Sequence, residues 1–241
     1  KHHRLKAMLG MDAKNPAIVL PDADMDNAVS ECVLGSLSFN GQRCTALKIV
    51  FVHKSIVDEF IKKLSAEIAK LKCGMPWEAG VSLTPLPEPG KTTYLTGLVE
   101  DARQHGAKIM NEHGGEMQNT FFYPAVLYPV NNKMKVFYEE QFGPVVPIVA
   151  YENVDEAIDY VVNSNFGQQL SIFGRESKAI ARLIDLFSSQ VGRINLNTQC
   201  QRGPDLFPFN GRKDSAEGTL SVADALRVFS IRTLVATKGT D

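Results

Sequence analysis

An open, mostly parallel α/β sheet with helices on both faces is the fold the sequence predicts, on three observations. Short apolar runs rich in branched residues, such as Ala17-Ile18-Val19-Leu20 and Ile49-Val50-Phe51-Val52, have the character of strands buried on both sides. Between such runs lie stretches with apolar residues at helical spacing, and strands alternating with helices build parallel sheets. The third observation is bulk. A chain of 241 residues, 44% hydrophobic and 22% charged, buries a sizeable core without disulfides or a structural metal.

In order along the chain, Ala17 to Leu20 opens as a strand and Pro21 to Asp26 makes a turn. Its acidic residues suit the positive end of a helix dipole. A helix follows from Met25 to Ser38, with Ala28, Val29, Cys32, Val33 and Leu37 at helical spacing. Lys48 to Val52 is the next strand. Ser55 opens a helix with Val57, Phe60, Ile61, Leu64 and Ile68 on one face and Lys62, Lys63 and Lys70 turned outward. Three prolines and a glycine make Thr84 to Lys91 a loop. A helix over Thr92 to His105, a short strand Lys108 to Met110 and a hairpin-like break at Gly114-Gly115 come next. Phe121 to Tyr128, Val145 to Tyr151 and Leu170 to Phe173 are further strands, separated by helices over Asp155 to Asn163 and Ser177 to Ser189. Arg202 to Gly218, rich in Gly, Pro and charge, is a loop long enough to suggest function. Leu226 to Thr237 alternates like a strand. No repeat, low-complexity tract or clear linker interrupts the chain, so residues 1–241 read as one domain.

Composition narrows function. A net charge of −1 leaves no electrostatic footprint for nucleic acid or an anionic membrane. The basic cluster at Lys1, His2, His3, Arg4 and Lys6 is too short for a nucleic-acid arm. There is no secretory apolar segment and no apolar run of about 18 residues, so neither export nor membrane insertion is indicated. Cys32, Cys44, Cys73 and Cys200 show no metal-type spacing, and the five histidines form no HxxxH pair, so no zinc site is expected. A reducing cytoplasm is the simplest home for these thiols. The chain begins without Met, which fits a fragment as well as a processed protein.

Cys32 lies on the apolar face of its helix and reads as an ordinary core thiol. Cys44 has different surroundings, Phe39-Asn40-Gly41-Gln42-Arg43-Cys44-Thr45-Ala46. It falls between a helix end and a strand, where a glycine lets the backbone turn sharply. Arg43 beside it adds positive charge, which favours a thiolate.

The run Gly41-Gln42-Arg43-Cys44-Thr45-Ala46 resembles the cysteine signature of the aldehyde dehydrogenases. Further landmarks follow in that family's order: Phe122 to Leu127, Glu139-Glu140-Gln141-Phe142-Gly143-Pro144-Val145, Asn165-Phe166-Gly167, Gly192 to Asn195, and Gly211 to Ser215. The resemblance implies an NAD- or NADP-dependent oxidation of a small-molecule aldehyde. Cys44 attacks the aldehyde carbon, hydride leaves to the nicotinamide, and a thioester remains to be hydrolysed. It implies that the Cys44 N–H is one donor to the reacting oxygen, and that the family's other donor lies on a coenzyme domain preceding this region. Glu140 and Phe142 match the residues that meet the nicotinamide ribose. The family forms homodimers or homotetramers, and the strand-like tail would suit such a contact.

Within the family, Gln201-Arg202-Gly203-Pro204-Asp205 with Phe207-Pro208-Phe209 and Gly211 resembles the non-phosphorylating, NADP-dependent glyceraldehyde-3-phosphate dehydrogenases. By that resemblance Arg43 and Arg202 hold an anionic aldehyde, since guanidinium forks suit phosphate oxygens. Both are also readable as structural salt-bridge arginines.

Two positions depart from the pattern. Counting back from Cys44 by the family's interval to its general-base glutamate lands on Gly10, with Lys14-Asn15-Pro16 and Asp22-Ala23-Asp24 anchoring the register. Asp12 shares a face with residue 10 if the stretch is extended, which makes it a substitute base or a solvated turn carboxylate. Ala216, in Ser215-Ala216-Glu217-Gly218, stands where the family usually has glycine. Without the base, a CoA-acylating aldehyde dehydrogenase or a non-catalytic relative are the rival readings.

Overall fold

The computed structural model describes residues 6–239, so most of the basic cluster at the start lies outside the described residues. Alternation within the strands decides the layering. In β2 (Asn15–Val19) Ala17 and Val19 face one helical layer and Ile18 the other. In β3 (Leu47–His53) Val50 and Val52 join the first layer and Ile49 and Phe51 the second. With both faces of the central strands covered, the sheet can be parallel. The first layer is α1 (Met25–Leu37) and α2 (Val57–Ile68); the second is α5 (Asp155–Asn163) and α6 (Ser177–Phe187). Asp24 caps α1, its carboxylate accepting the Asn27 N–H at 3.2 Å, as the acidic turn suggests.

Seven strands form the main sheet in the order β11 (Arg193–Leu196), β10 (Gln169–Phe173), β2, β3, β8 (Val145–Tyr151), β7 (Ala125–Tyr128), β4 (Lys108–Ile109). All neighbours are parallel except the edge pair β4 and β7. A third apolar cluster packs Leu95 and Val99 of α3 (Lys91–Gln104) onto Ala125, Leu127 and Val145. The strand expected over Phe121 to Tyr128 is divided at Tyr123-Pro124. Proline lacks the N–H a ladder needs, so β6 (Phe121–Phe122) turns back on β5 (Met117–Gln118) while β7 enters the sheet. A short α4 (Lys135–Tyr138) precedes β8. The edge strand β11 carries Arg193 and Asn195, and that polarity hid it from an apolar-run reading.

The long Gly- and Pro-rich loop forms two small ladders separate from the main sheet. Its β12 (Arg212–Lys213) pairs with β9 (Phe166–Gly167), and its β13 (Ala216–Glu217) pairs with β1 (Leu9–Gly10), both antiparallel. The expected C-terminal strand is not formed. Residues Val222–Phe229 make helix α7, and residues 230–239 are irregular. Val222, Leu226 and Phe229 sit at i, i+4 and i+7, a helical spacing, and no strand lies alongside to satisfy an extended backbone. No helix among the described residues is long and apolar enough to cross a membrane.

Candidate active site

The amino ends of four parallel strands meet where the chemistry-bearing residues are. Lys14 and Asn15 lead into β2, Cys44 to Lys48 into β3, Glu140 to Gly143 into β8, and Gln168-Gln169 into β10. Parallel alignment sets these starts side by side. This is the opposite end of the sheet from the carboxyl ends where open α/β folds usually take ligands.

The chain leaves α1 through a tight turn, Ser38–Gly41, in which Phe39, Asn40 and Gly41 have φ of 54°, 56° and 69°. Glycine is required at position 41. A Cβ there would lie 2.6 Å from the Ser36 carbonyl oxygen and 2.8 Å from that of Gly143. Asn40 pins the turn to the following loop by donating to Thr84 Oγ1 at 2.8 Å and accepting the Thr84 N–H at 2.9 Å. Cys44 follows, half-buried. Its carbonyl oxygen accepts from Asn15 Nδ2 at 2.7 Å and from Lys48 Nζ at 2.8 Å. Asn15 also reaches Ala46 O at 3.0 Å and takes the Gln169 N–H at 3.1 Å, tying three strand starts together.

The second turn, before β8, is built as tightly. Gln141, buried, accepts from Lys14 Nζ at 2.6 Å and donates to Lys48 O at 2.9 Å and Val145 O at 2.8 Å. Phe142 has φ 43°, an uncommon and strained conformation for a bulky residue. Lys91 Nζ lies 5.7 Å from its ring centroid and 5.0 Å from that of Tyr94. Glu140 Oε1 lies 3.0 Å from Lys48 Nζ yet is buried without a well-directed hydrogen bond from the protein. That leaves acceptor capacity of the kind a ribose hydroxyl would use. The residues at this turn therefore fit the nicotinamide ribose that the Glu140 and Phe142 motif implies.

Burial shapes the electrostatics. It pushes the Glu140 carboxyl up, against the pull of Lys48, and pushes Lys48 down, against the pull of Glu140. Lys14 is pushed down as well, by burial and the neighbouring Lys48 charge. Desolvation together with the Glu139 charge pushes the Tyr94 hydroxyl up to about 12. Burial raises the thiols of Cys32 and Cys73 and lifts Cys200 to about 11. Cys32 and Cys200 are fully enclosed, so neither has the exposure or thiolate character of a nucleophile.

Gly10 pairs directly with Ala216 in the β1–β13 ladder. The two departures from the family pattern are thus cross-strand partners. A Cβ on Gly10 would approach only the Leu220 Cδ1 end, at 3.1 Å. Asp12 lies past the end of β1 and is exposed. Its charge is a minor contributor to the raised pKa values of Glu140 and Tyr94.

The two arginines do not share a partner among the described residues. Arg43 Nη2 donates to Gln199 Oε1 at 2.7 Å, Gly35 O at 3.1 Å and Leu34 O at 3.4 Å. Arg202 is exposed, with its guanidinium 5.0 Å from the Phe209 ring centroid. Sequence reasoning used Lys14-Asn15 only to fix the register and read Lys48 only as the start of a strand. A lysine heading an otherwise apolar strand was the available signal for Lys48. Lys91 and Tyr94 carried none, because their roles depend on α3 packing against the Phe142 turn. Among the described residues no three His, Cys, Asp or Glu side chains gather as metal ligands.

The model of the aldehyde dehydrogenase family matches residues 2–235. The chain is similar to the NADP-dependent glyceraldehyde-3-phosphate dehydrogenase of Apium graveolens, 34% identical over 226 residues, covering 93% of this chain and 45% of the relative. It is 35% identical to the enzyme of that name from Streptococcus equinus over 233 residues, 97% of this chain and 47% of the relative. Its structure resembles the NADP-dependent glyceraldehyde-3-phosphate dehydrogenase of Bacillus halodurans complexed with NADP, with a TM-score of 0.86 and 35% identity, over 91% of this chain and 45% of that one. The chain spans about half the length of these curated relatives.

Proposed function

This chain belongs to the aldehyde dehydrogenase family, and on that footing we propose that residues 1–241 are its catalytic domain, oxidising an aldehyde to a carboxylic acid with NADP or NAD. The observation that carries the reading is the half-buried Cys44, its carbonyl held by Asn15 and Lys48, beside a Glu140 carboxylate with acceptor capacity to spare. The Cys44 thiolate adds to the aldehyde carbon, forming a C–S bond and an alkoxide. The Cys44 N–H, which no acceptor takes among the described residues, points the way to holding that oxygen. A bound nicotinamide supplies the hydride acceptor. Loss of hydride from the former aldehyde carbon leaves a thioester on Cys44, and water then releases the acid and regenerates the thiol. Glu140 and Phe142 position the ribose, with Lys91 behind the Phe142 ring.

Arg202, exposed on the loop over this end of the sheet, favours an anionic aldehyde, with Arg43 as the second cation. NADP is supported by the named cofactor of the similar proteins and of the solved structure. The four free cysteines favour a reducing compartment such as the cytoplasm. Exposed Leu226, Phe229, Ile231 and Leu234 support burial of the C-terminal segment in a homodimer or homotetramer. Gly10 supports one second reading, transfer of the acyl group to CoA rather than to water, because attack by a thiol does not need the same general base.

The test uses the complete protein mixed with an anionic aldehyde and NADP or NAD. Reduced cofactor should appear in a burst stoichiometric with Cys44, and Cys44→Ala should abolish it. A Cys44→Ala variant that reduces cofactor at the wild-type rate would overturn the reading.

A further inference from the structure

Lys48 is a charged side chain in a place where charges are expensive. It is second in a central β-strand and 1% exposed, and an unpaired ammonium there would cost several kcal/mol. Its Nζ lies 3.0 Å from Glu140 Oε1, 2.8 Å from Cys44 O, 3.1 Å from Arg43 O and 3.4 Å from Ala46 O. Neutralising Glu140 accounts for one of these contacts. The other three go to the backbone of the nucleophile turn, and two of them bracket Cys44 itself.

The Arg43 contact has a chemical consequence. The carbonyl of Arg43 and the N–H of Cys44 belong to the same peptide group. A cation on the oxygen draws electron density from the nitrogen, making its N–H a stronger donor, as polarised hydrogen-bond chains do. The Arg43 oxygen also takes the Ala46 N–H at 3.0 Å, so the plane of that peptide is fixed from its carbonyl side. The next carbonyl, that of Cys44, is held by Lys48 and Asn15 together. Both peptides around Cys44 are therefore clamped from their carbonyl sides, each by the Lys48 ammonium and a second donor.

We propose that Lys48 is a positioning residue for the reaction: its ammonium, held on the carbonyls of Arg43 and Cys44, fixes and polarises the Arg43–Cys44 peptide so that its N–H stabilises the oxyanion formed when Cys44 attacks. The inference rests on the reading of Cys44 as the nucleophile. It assigns the lysine to oxyanion stabilisation rather than to the cofactor or to the reactivity of the thiol, and that distinction is measurable.

Two reactions of Cys44 that use no cofactor separate these roles. With p-nitrophenyl acetate the thiolate adds to the ester carbon, a C–S bond forms, and a tetrahedral oxyanion collapses with loss of p-nitrophenolate. With iodoacetamide the thiolate displaces iodide and no oxyanion develops. Removal of one oxyanion donor typically costs about 10²–10³-fold, and weakening one through its peptide should cost less. Lys48→Met in the complete protein should therefore slow acylation about tenfold or more while alkylation stays within about twofold. Because Met leaves Glu140 buried without its cation, the same substitution is also made on Glu140→Gln, where no unpaired charge results, and compared with Glu140→Gln alone. The acylation defect should persist there. Equal slowing of both reactions would mean that Lys48 serves the thiol or the fold, and overturns the proposal. So would a defect that vanishes in the Glu140→Gln background, which would confine Lys48 to neutralising Glu140. If wild-type Cys44 is not acylated by the ester at all, the nucleophile reading itself fails, a different result from acylation that is indifferent to Lys48.

Discussion

The turn that carries Cys44 and the strand that carries Gly10 are constrained to very different degrees. Around Cys44, Asn15 and Lys48 converge on one carbonyl, Asn40 is bonded twice to Thr84, and Gly41 packs against the backbone of Gly143. Gly10 lies in a two-residue strand flanked by exposed Leu9 and Met11 and paired with a single short partner. The family-like residues cluster in the first region, and both departures, Gly10 and Ala216, face each other in the second. The Cys44 turn is locked by contacts that leave no room for a side chain at Gly41. The Gly10 strand is two residues long and exposed, with only the Leu220 side chain near a Cβ at position 10, so a changed residue there should cost the fold little.

Restoring the carboxylate is the largest expected effect. Gly10 has no left-handed backbone to strain, and a Cβ at that position meets only the flexible Leu220 end. Gly10→Glu should therefore raise steady-state turnover about 10²-fold, the lower end of what a positioned general base supplies. The rate of the initial burst should stay the same. Absorbance of the reduced cofactor in stopped flow reads both phases. Added CoA should lift the wild-type steady rate only if the acyl group is passed to a thiol. A wild type with no burst, fast turnover in water and collapse on Asp12→Ala would make Asp12 the base and erase the contrast between the two regions.

The contrast in packing is open to a stability measurement. Gly41→Ala combines a positive φ with a methyl group driven against two backbone oxygens. Strain and overpacking of that kind should cost about 2–4 kcal/mol in denaturant unfolding. Gly10→Ala should stay within about 1 kcal/mol. Similar losses at both sites would mean that β1 is as tightly specified as the Cys44 turn. Cysteine alkylation probes the same packing more gently. At neutral pH Cys44 should react well ahead of Cys200 and Cys32, which are enclosed and have raised pKa values. Equal rates for all four thiols would deny Cys44 any special reactivity.

The sheet was legible because its signal is local: apolar runs such as Ala17 to Leu20 bury both faces whatever surrounds them. Cys44, Glu140 and Phe142 were singled out by motif order, and the structure brings their turns together at Gly41 and Gly143. Lys48, Lys14 and Gln141 were not. Each is a polar residue whose role appears only when four strand starts align, and pairing register between distant segments is not written in any one of them. The C-terminal segment shows the converse. Its alternating residues look like a strand, but alternation specifies a strand only where a neighbour supplies hydrogen bonds. Without one, the Val222, Leu226 and Phe229 spacing folds as α7.

The smallest expected effect tests which arginine meets an anionic substrate. Arg202 is exposed, its guanidinium lies against an aromatic face, and its donors meet no acceptor among the described residues. Arg43 already spends Nη2 on two carbonyls at the end of α1 and on Gln199. Losing one charge-assisted contact is worth about 1.5–3 kcal/mol, and solvent at an exposed loop brings that toward the lower end. Arg202→Ala should therefore raise KM for a phosphorylated aldehyde about tenfold, leaving KM for a neutral aldehyde of similar size within about twofold. Arg43→Ala should produce a smaller selective change and a loss of stability, because it strips donors from Leu34, Gly35 and Gln199. Equal, selective KM effects from both substitutions would mean that the two guanidinium groups meet on one phosphate, which requires the Arg202 loop to close over Cys44 when substrate binds.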